Sequence, residues 1–477
     1  YVWAGMPGFF RGSTQAQRNG SRLYNYLQKR EVGLYYGAPQ KLVAENLAQQ
    51  MPGLLHEKEY AVGQINKIFT SAWVSDRQVV FGTKCNKLIV LDLLSHQMVQ
   101  IPSLKSSDES VPADCPCGIH SIAINPSKTL LATGAENTND VAVYRLPTFD
   151  PVCTGEGGHG DWIFDTKWLD DEYLVTGSRD DKLALWCVKD TEDCDISRMK
   201  SLQVPEYSIK KPTLIKKCHQ AEKVRALAYN DFSNELAALS LNAQLHIWDT
   251  RTWKQVDSRK LPHPRENVCM ALSKDRKLYA VGSQSHVTYI DTNSQKVITS
   301  VQSRQRGCGK ISLPSTKLTR FLVFKATKWL VYDFVALAAF HLDIHTDSYA
   351  TGFSYNGIYF QPISKKFATP CLTEFILVVD AAYFNENVVT IGTGAGAVLF
   401  YDLTAGKYLE CSCGHACMLN AGKGWLLHDD NYRDYFMDQE YPNAIYAHCY
   451  DDSGTKLFTA GGPLPAGLWG NYCGLWQ

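Results

Sequence analysis

The chain has 477 residues, 45% of them hydrophobic, so it can bury a large core and has the length of a few domains or of one repeat architecture. Its 48 basic and 48 acidic side chains cancel, which excludes a global charge that draws a protein to nucleic acid or to an anionic membrane. The 15 cysteines form no disulfide-like framework and follow no secretory signal, so the sequence predicts free thiols in a reducing compartment.

The first elements along the chain are a polar tail and two short helices. Residues 1–20 are glycine-rich and polar, which predicts a disordered tail. The stretches SRLYNYLQKREV and QKLVAENLAQQMPGLL space apolar residues helically within residues 21–56, and Leu23, Tyr26 and Leu27 share one face of the first helix. The pattern leaves two interpretations open, packing on the protein's own surface and docking into the groove of a partner.

A hairpin of two strands around a short turn then recurs seven times. Each hairpin follows another alternating apolar stretch, so the repeating unit is a small antiparallel sheet. The turn is marked by a small residue at the end of one strand: Gly82, Gly134, Gly177, Ser240, Gly282 and Gly392. WD40 blades recur about every 40 to 45 residues, although only Trp248-Asp249 gives the literal dipeptide. The sequence therefore predicts an all-β fold, a seven-bladed WD40 β-propeller over residues 57–477 with an N-terminal helical arm.

One interval does not fit the period. The 69 residues 311–379 contain no glycine-turn hairpin, and without them the interval from Gly282 to Gly392 has the length of about one blade. Three charged residues interrupt the apolar part of this insertion, so it fails as a membrane span. We expect a non-blade insertion, and we hypothesise a translated intron because Gly309-Lys310-Ile311 can be encoded by GGTAAGAT, a splice-donor-like string. An insertion present in mature transcripts would contradict that origin.

No catalytic, cofactor or metal motif withstands inspection. The stretch GTGAGA at 392–397 is followed by a strand, so it lacks the helix N-terminus that holds a phosphate. The run CSCGHAC at 411–417 offers four ligand types but is tighter than structural zinc sites, and we expect a solvent-exposed loop there. His159 is expected to be a structural hydrogen-bonding residue. The sequence predicts a protein that is not an enzyme and has no cofactor and no metal.

Basic residues are predicted to gather at one mouth of the propeller channel. Arg179 and Lys84 lie in turns between the second and third strands of their blades. Further cations stand at or just before the innermost strands: Lys67, His120, Lys223, Arg225, Arg265 and Arg306. Both kinds of connection lie on one face of a propeller, so a small anionic ligand such as a carboxylate-rich peptide end would suit this mouth. Acidic residues at the same positions keep a mixed polar rim open as an alternative: Asp161, Asp180, Asp181 and Glu266.

Several longer stretches resemble a known family. These include YNYLQKREV, CGIHSIAINPSKTLLATG, GHGDWIF, GSRDDKLALW and HCYDDSGTKLFTAGGPLPAGLWGNYCGLW. They are similar to the DDB-and-cullin-associated factors, which are WD40 substrate receptors of cullin-4 RING ubiquitin ligases, and within them to the family of the twelfth member. The similarity runs from about residue 21 to the C-terminus, without 311–379.

The resemblance implies a non-catalytic substrate receptor of the cytoplasm and the nucleus. Its N-terminal helix would insert into a DDB-type adaptor that carries cullin-4 and a RING subunit, through Leu23, Tyr26, Leu27 and Arg30. Its propeller would capture substrates that end in Glu-Glu, gripping the acidic side chains and the terminal carboxylate with Lys67, Lys84, His120, Arg179, Lys223 and Arg225. No nucleic acid and no membrane are expected as partners.

One departure from the family pattern affects this implied pocket. The family continues from RGCG into Ile-Arg, where Lys310 and the insertion stand here, so one pocket cation is missing and weaker binding than in a chain without the insertion is expected. Two other functions stay open, a scaffold that binds no acidic tail and a phosphopeptide-binding module that uses the same cations.

Overall fold

A computed structural model describes residues 52–108, 110–114, 117–189, 207–264, 266–303, 378–383, 387–410, 416–435 and 441–477, and the backbone of four short strands between residues 321 and 362. Several sequence predictions lie outside these residues: the polar tail, the two helices with Leu23, Tyr26, Leu27 and Arg30, the rim cations Arg265 and Arg306, and residues 411–415 of the cysteine-rich run.

Seven sheets of four or five strands surround a central channel, which confirms the predicted propeller. We number the blades along the chain and the strands of each blade from the channel outwards. Blade 1 contains Ile68–Trp73, Gln78–Thr83, Leu88–Asp92 and Met98–Ile101. Blade 2 contains Ile122–Ile124, Leu130–Gly134, Val141–Arg145 and Asp150–Gly155, with Ser208–Lys210 added in parallel at its edge. Blade 3 contains Ile163–Trp168, Tyr173–Ser178, Lys182–Cys187 and Leu214–Lys217. Blade 4 contains Val224–Asn230, Glu235–Ser240, Gln244–Asp249 and Lys254–Lys260.

The last three blades complete the ring. Blade 5 contains Cys269–Leu272, Leu278–Gly282, His286–Asp291 and Val297–Gln302. Blade 6 contains Val378–Tyr383, Val388–Thr393, Ala397–Asp402 and Lys407–Tyr408, with Met418–Asn420 also paired to its third strand. Blade 7 contains Asn443–Tyr450, Leu457–Pro463, Gly470–Trp476 and Glu57–Glu59, with Trp425–Leu426 also paired to its third strand. One helix, Asp430–Tyr435, precedes blade 7, and a helical turn occupies residues 52–54.

The ring is closed by the two ends of the propeller sequence. The strand Glu57–Glu59 pairs antiparallel with the last strand of the chain, so that Glu57 lies opposite Trp476 and Glu59 opposite Gly474. The Tyr472 hydroxyl donates a hydrogen bond to the Glu57 carboxylate. Blade 7 is therefore built from both ends of the propeller sequence, which prevents an open sheet edge at the junction.

The insertion does not separate the blades that flank it. The first strands of blades 5 and 6 contact each other directly. Within the insertion, four short strands form a sheet of their own: Phe321–Lys325, Lys328–Trp329, Phe353–Tyr355 and Ile358–Pro362. The first strand of blade 6 begins at Val378, so it overlaps the predicted end of the insertion at residues 378 and 379.

Three of the hairpin glycines, Gly82, Gly177 and Gly392, are approached closely by the next blade. A Cβ atom at Gly177 would lie 2.7 Å from Cγ1 of Val224, which opens the first strand of blade 4. A Cβ atom at Gly82 would lie 2.4 Å from the Ile119 side chain. The repeated small residue thus lets the innermost strand of one blade pack against the second strand of the blade before it.

The histidine of blade 3 has the structural role that the sequence predicts. His159 Nε2 and the Thr176 hydroxyl are 2.6 Å apart, and the Trp186 indole donates to the same hydroxyl over 3.0 Å. On its other side, His159 Nδ1 lies 3.2 Å from a carboxylate oxygen of Asp180. This network joins the connection that enters blade 3 to the second and third strands of the blade and to the turn between them.

Two further predictions concern the thiols and the membrane. The cysteines that the structure describes are all free thiols, as expected. In the described ranges, no helix is long and apolar enough to cross a membrane.

Candidate functional site

A β-bulge stands at the same place in the first strand of five blades. In each case one residue has no partner on the second strand, and the pairing register shifts by one. The extra residues are Phe69, Phe164, Arg225, Val379 and Tyr446. A bulge redirects a side chain that the regular pleat would bury between sheets. Phe69, Phe164, Arg225 and Tyr446 line a cavity of about 260 Å³ in the channel.

The described wall of this cavity is partly aromatic, and His120 contacts several of the rings. The His120 ring stacks on Phe69 with centroids 4.8 Å apart and planes 9° apart. Trp162 lies parallel to it at 6.3 Å, and Phe164 meets it edge-on at 5.1 Å. Blades 1, 2 and 3 therefore meet at the channel through stacked rings, which form a rigid apolar surface next to the polar rim.

His120 is a neutral ring at physiological pH. Burial lowers its pKa to about 3, and the positive charges of Arg225 and Lys84 add to the effect. Its Nε2 atom has no hydrogen-bond partner in the part of the chain that the structure describes. The imidazole can therefore donate or accept one further hydrogen bond at Nε2, but it does not supply the positive charge that its place among the predicted cations suggested.

The two arginines of the predicted set lie against aromatic rings. The Arg225 guanidinium is 3.9 Å from the centroid of Phe164, and the Arg179 guanidinium is 4.7 Å from that of Trp162. Arg179 Nη1 also lies 3.5 Å from a carboxylate oxygen of Asp161. Rings and guanidinium groups attract each other, and the planar contact fixes the direction of the donors. The rings thus position two cations at the mouth of the channel.

The two lysines of blade 1 bind the loop that joins the second and third strands of blade 7. Lys67 is 2% exposed, and its ammonium donates to the carbonyls of Pro465 over 2.6 Å and Leu468 over 2.8 Å. Lys84 donates to the carbonyl of Ala466 over 3.0 Å. Burial, together with the nearby charge of Lys84, holds the pKa of Lys67 well below its usual range. Lys67 is therefore engaged beneath the loop, whereas Lys84 is only partly buried.

Lys223 precedes the first strand of blade 4 and is half-buried. Its backbone is in the left-handed region, with φ of 66°. This conformation turns the chain immediately before Arg225. Lys223 thus lies where the sequence places it, in the connection that leads into the innermost strand of blade 4.

The structure brings most of the predicted binding residues together. His120 and Arg225 line the cavity, Lys84 is close enough to His120 to lower its pKa, and Arg179 is joined to His120 through Trp162. Lys67 lies next to Lys84. Lys223 is connected to this group by its place in the sequence, two residues before Arg225.

Acidic residues are present in the cavity too, and each is satisfied by the protein itself. Asp165 accepts the amide of Leu227 over 2.7 Å and the ammonium of Lys167 over 3.0 Å. Asp380 accepts the amide of His448 over 2.6 Å. These two carboxylates connect neighbouring blades, because each accepts a backbone amide from the next innermost strand. They thus take up donors of the innermost strands.

Sequence reasoning missed the aromatic residues of the site. The signal was present, because blades 1 and 3 share the pattern Ile-Phe-x-x-x-Trp at Ile68–Trp73 and Ile163–Trp168. Strict alternation would have placed the phenylalanines between the sheets, since the bulge that redirects them leaves no mark in the hydrophobic period.

No group of three or more potential metal ligands occurs in the described ranges, and most of the cysteine-rich run 411–417 lies outside them.

A closed ring of seven blades around a central channel, with two guanidinium groups packed on aromatic rings at that channel, defines this molecule as a WD40-type propeller. A family model described as the DDB1- and CUL4-associated factor 12 beta propeller matches residues 51–342 and 348–477. The chain belongs to this family.

More distant similarities reflect the repeat fold. The chain is 29% identical over 136 residues to guanine nucleotide-binding protein subunit beta-1 of Caenorhabditis briggsae, covering 28% of this chain and 37% of the relative. It is 27% identical over 207 residues to guanine nucleotide-binding protein subunit beta of Saccharomyces cerevisiae, covering 41% and 42%. The chain thus spans about two fifths of the length of the curated relatives that it matches.

Proposed function

We propose that this protein is the non-catalytic substrate receptor of a cullin-4 RING ubiquitin ligase and recruits proteins that end in Glu-Glu. Its family description names DDB1 and CUL4, which supports the ligase assignment. The observation that supports the substrate assignment is the mouth itself. Arg225 lines a partly aromatic cavity together with His120, Arg179 lies over Trp162, which stacks on His120, and the charge of Lys84 acts on the same histidine.

The chemistry of such a peptide end matches this mouth. Two glutamate side chains and the terminal carboxylate bring three negative charges, and each charge-assisted hydrogen bond contributes about 1.5 to 3 kcal/mol. Arg179 and Arg225 are held by Trp162 and Phe164, so little rotamer entropy is lost when they bind. Lys84 and Lys223 add flexible ammonium groups.

His120 and Lys67 take different parts in the proposed complex. The neutral imidazole of His120 donates a hydrogen bond to a carboxylate that is already paired with a cation. Lys67 holds the loop 464–468, whose Leu464 lines the cavity, through the carbonyls of Pro465 and Leu468. In the proposed complex Lys67 does not contact the peptide. It contributes to binding by fixing the position of that loop, to which Lys84 is also bonded.

The adaptor is the second proposed partner. The helix that carries Leu23, Tyr26, Leu27 and Arg30 is proposed to insert into DDB1, with cullin-4 and the RING subunit bound beyond it. Ubiquitin transfer is then the work of other subunits, in the cytoplasm and the nucleus.

The insertion is proposed to weaken peptide binding. The family's Ile-Arg is replaced by Lys310 and the insertion, which removes one cation from the mouth. A chain without residues 311–379, rejoined to the family's sequence, is expected to bind a Glu-Glu peptide more tightly; equal affinity of the two forms would refute this part.

Reconstituted ubiquitylation tests the proposal. A reporter ending in Glu-Glu is incubated with the receptor, DDB1, the cullin-4 and RING subunits and the ubiquitin-transfer enzymes, beside a reporter ending in Gln-Gln. We expect ubiquitin chains on the Glu-Glu reporter only, and loss of most of that signal with Arg179→Ala. Arg251→Ala, in an exposed turn of blade 4, is the matched control and should have no effect.

Two other outcomes distinguish the alternatives. Equal modification of both reporters, unaffected by Arg179→Ala, would indicate a scaffold. Tighter binding of a tail whose serine is phosphorylated than of the Glu-Glu tail would indicate a phosphopeptide-binding module.

A further inference from the structure

The connection from blade 1 to blade 2 is longer than those that join blades 2 and 3, blades 3 and 4, and blades 4 and 5. It runs from the end of Met98–Ile101 to the start of Ile122–Ile124, and its described residues, 102–108, 110–114 and 117–121, contain no strand. The corresponding connection between blades 2 and 3 needs only residues 156–162. Long connections without secondary structure are uncommon in compact domains and are often functional.

Three serines of this connection bind two buried carboxyl groups. Ser107 donates its amide to one oxygen of Glu156 over 2.6 Å and its hydroxyl to the other over 2.5 Å. Ser106 and Ser110 both donate their hydroxyls to one oxygen of Asp140, over 2.7 and 2.5 Å.

The two acceptors are among the most deeply buried acidic residues described. Glu156 is 0% exposed and Asp140 is 1% exposed. Burial raises the pKa of Asp140, and its hydrogen bonds with Ser110, Ser106 and Asn137 oppose that rise. The ammonium of Lys211 is 3.8 Å from Glu156, beyond hydrogen-bond distance. The serine hydroxyls are thus the main donors that compensate the burial of two acids.

We propose that Ser106, Ser107 and Ser110 are phosphorylation sites that form a latch, and that phosphate on Ser107 releases the connection from blade 2. A phosphoserine carries about −1.5 to −2 charges, and its ester oxygen has no proton to donate. The phosphate would then face the Glu156 carboxylate in a buried place, where two anions repel each other strongly. This repulsion would separate the connection from blade 2.

The reaction is an ordinary phosphoryl transfer. In an open connection, the serine hydroxyl oxygen attacks the γ-phosphorus of ATP held by a protein kinase. The new O–P bond replaces the bond to the β-phosphate oxygen, ADP leaves, and the hydroxyl proton passes to the base of the kinase. Ser107 is followed directly by Asp108 and Glu109 in the sequence, so a serine kinase that prefers acidic residues on the C-terminal side is the class to test.

The latch adjoins the binding mouth. Asp140 ends the turn 135–140 of blade 2, and the Asn86 side chain donates to the carbonyls of Ala135 and Glu136 in that turn over 3.2 and 3.0 Å. Asn86 shares a short turn with Lys84, and the connection itself leads into His120. Release of the latch, and the added negative charge beside the rim, would lower the affinity for an acidic peptide. This last consequence rests on the proposed function.

The first experiment is phosphorylation of the folded protein. The protein is incubated with ATP and an acid-directed serine kinase, and phosphate is located by mass spectrometry. We expect modification of Ser107, with Ser106 or Ser110 in addition. Incorporation only into heat-unfolded protein, or only at other serines, would overturn the proposal.

Hydrogen–deuterium exchange of residues 102–114 then measures the latch. The phosphorylated protein and Ser107→Glu should exchange about tenfold faster or more in this segment, because hydrogen bonds to charged groups are lost. Ser107→Ala should show a smaller increase. Ser294→Glu adds the same charge at an exposed turn of blade 5 and should leave the segment unchanged. Exchange in the phosphorylated protein equal to that of Ser294→Glu would refute the latch.

Peptide binding is measured on the same samples. If the unmodified protein binds a Glu-Glu peptide, phosphorylation should weaken that binding by about tenfold or more. If the unmodified protein does not bind the peptide, the proposed function fails, while the exchange result still decides the latch.

Discussion

Asp161 is predicted to weaken the binding of acidic peptides, so its neutralisation should increase affinity. The Asp161 carboxylate lies 3.5 Å from Arg179, and the two side chains are 34% and 19% exposed. A ligand carboxylate on the other side of the guanidinium would stand about 6 Å from Asp161. The repulsion at that distance is about 0.7 kcal/mol at a dielectric constant of water and about 2.8 kcal/mol at a value near 20.

The partial exposure of the pair favours the lower part of this range. We therefore expect Asp161→Asn to gain about 1 kcal/mol, or about fivefold in affinity for a peptide ending in Glu-Glu. The substitution keeps the side-chain oxygen that accepts the Trp162 amide over 2.8 Å. Because exposed ion pairs contribute about 0 to 1 kcal/mol, the protein should stay folded with little change in stability.

Fluorescence anisotropy of a labelled peptide measures the effect at low and at high salt. The gain should shrink near 1 M salt, where the Debye length is about 3 Å. Asp257→Asn removes a carboxylate paired with Arg259 on the outer strand of blade 4 and serves as the matched control. An affinity for Asp161→Asn that equals or falls below that of the control would refute the reasoning.

Three further predictions concern the fold that holds the site. Gly177→Ala should lower the free energy of unfolding by about 1 to 3 kcal/mol, because its Cβ would lie 2.7 Å from Val224, whereas Gly160→Ala meets open space; urea unfolding of both variants checks this. Folding lowers the pKa of His120 to about 3 from its usual 6.5, so the folded state favours the neutral ring. That stability is complete above pH 6.5 and decreases as the pH falls, by about 1 kcal/mol between pH 6.5 and 5.5. His120→Gln should reduce this pH dependence in urea titrations, and an unchanged dependence would contradict the assignment of a neutral ring. A chain that begins at residue 60 lacks the strand Glu57–Glu59 and should melt at a lower temperature than one that begins at residue 52, whereas equal melting temperatures would argue against closure by this strand.

The blades could be predicted because their signals are local. Alternating strands, a small residue at the close approach and a short turn all recur within one hairpin, as at Gly177. The face on which Lys84 and Arg179 lie follows from that connectivity alone. In a repeat architecture, both the fold and the positions of the rim residues can therefore be predicted from the sequence.

The properties of individual site residues depend on long-range packing, which a single sequence does not show. The Lys67 ammonium binds the carbonyl of Pro465, 398 positions further along the chain, so its burial was not foreseen. The neutral state of His120 results from burial and from cations of other blades. The bulges at Phe69 and Phe164 require the register of two paired strands, which the alternation of one strand cannot give.

Binding of a peptide that ends in Glu-Glu, with a free or an amidated C-terminus, tests the central claim most directly. Fluorescence anisotropy is recorded for the wild-type protein and for Arg179→Glu. We expect the wild-type protein to bind the free acid at least about tenfold more tightly than the amide, since one charge-assisted contact is lost, and Arg179→Glu to bind neither. Equal affinity of the wild-type protein for both peptides, or full binding by Arg179→Glu, would contradict recognition of an acidic C-terminus at this mouth.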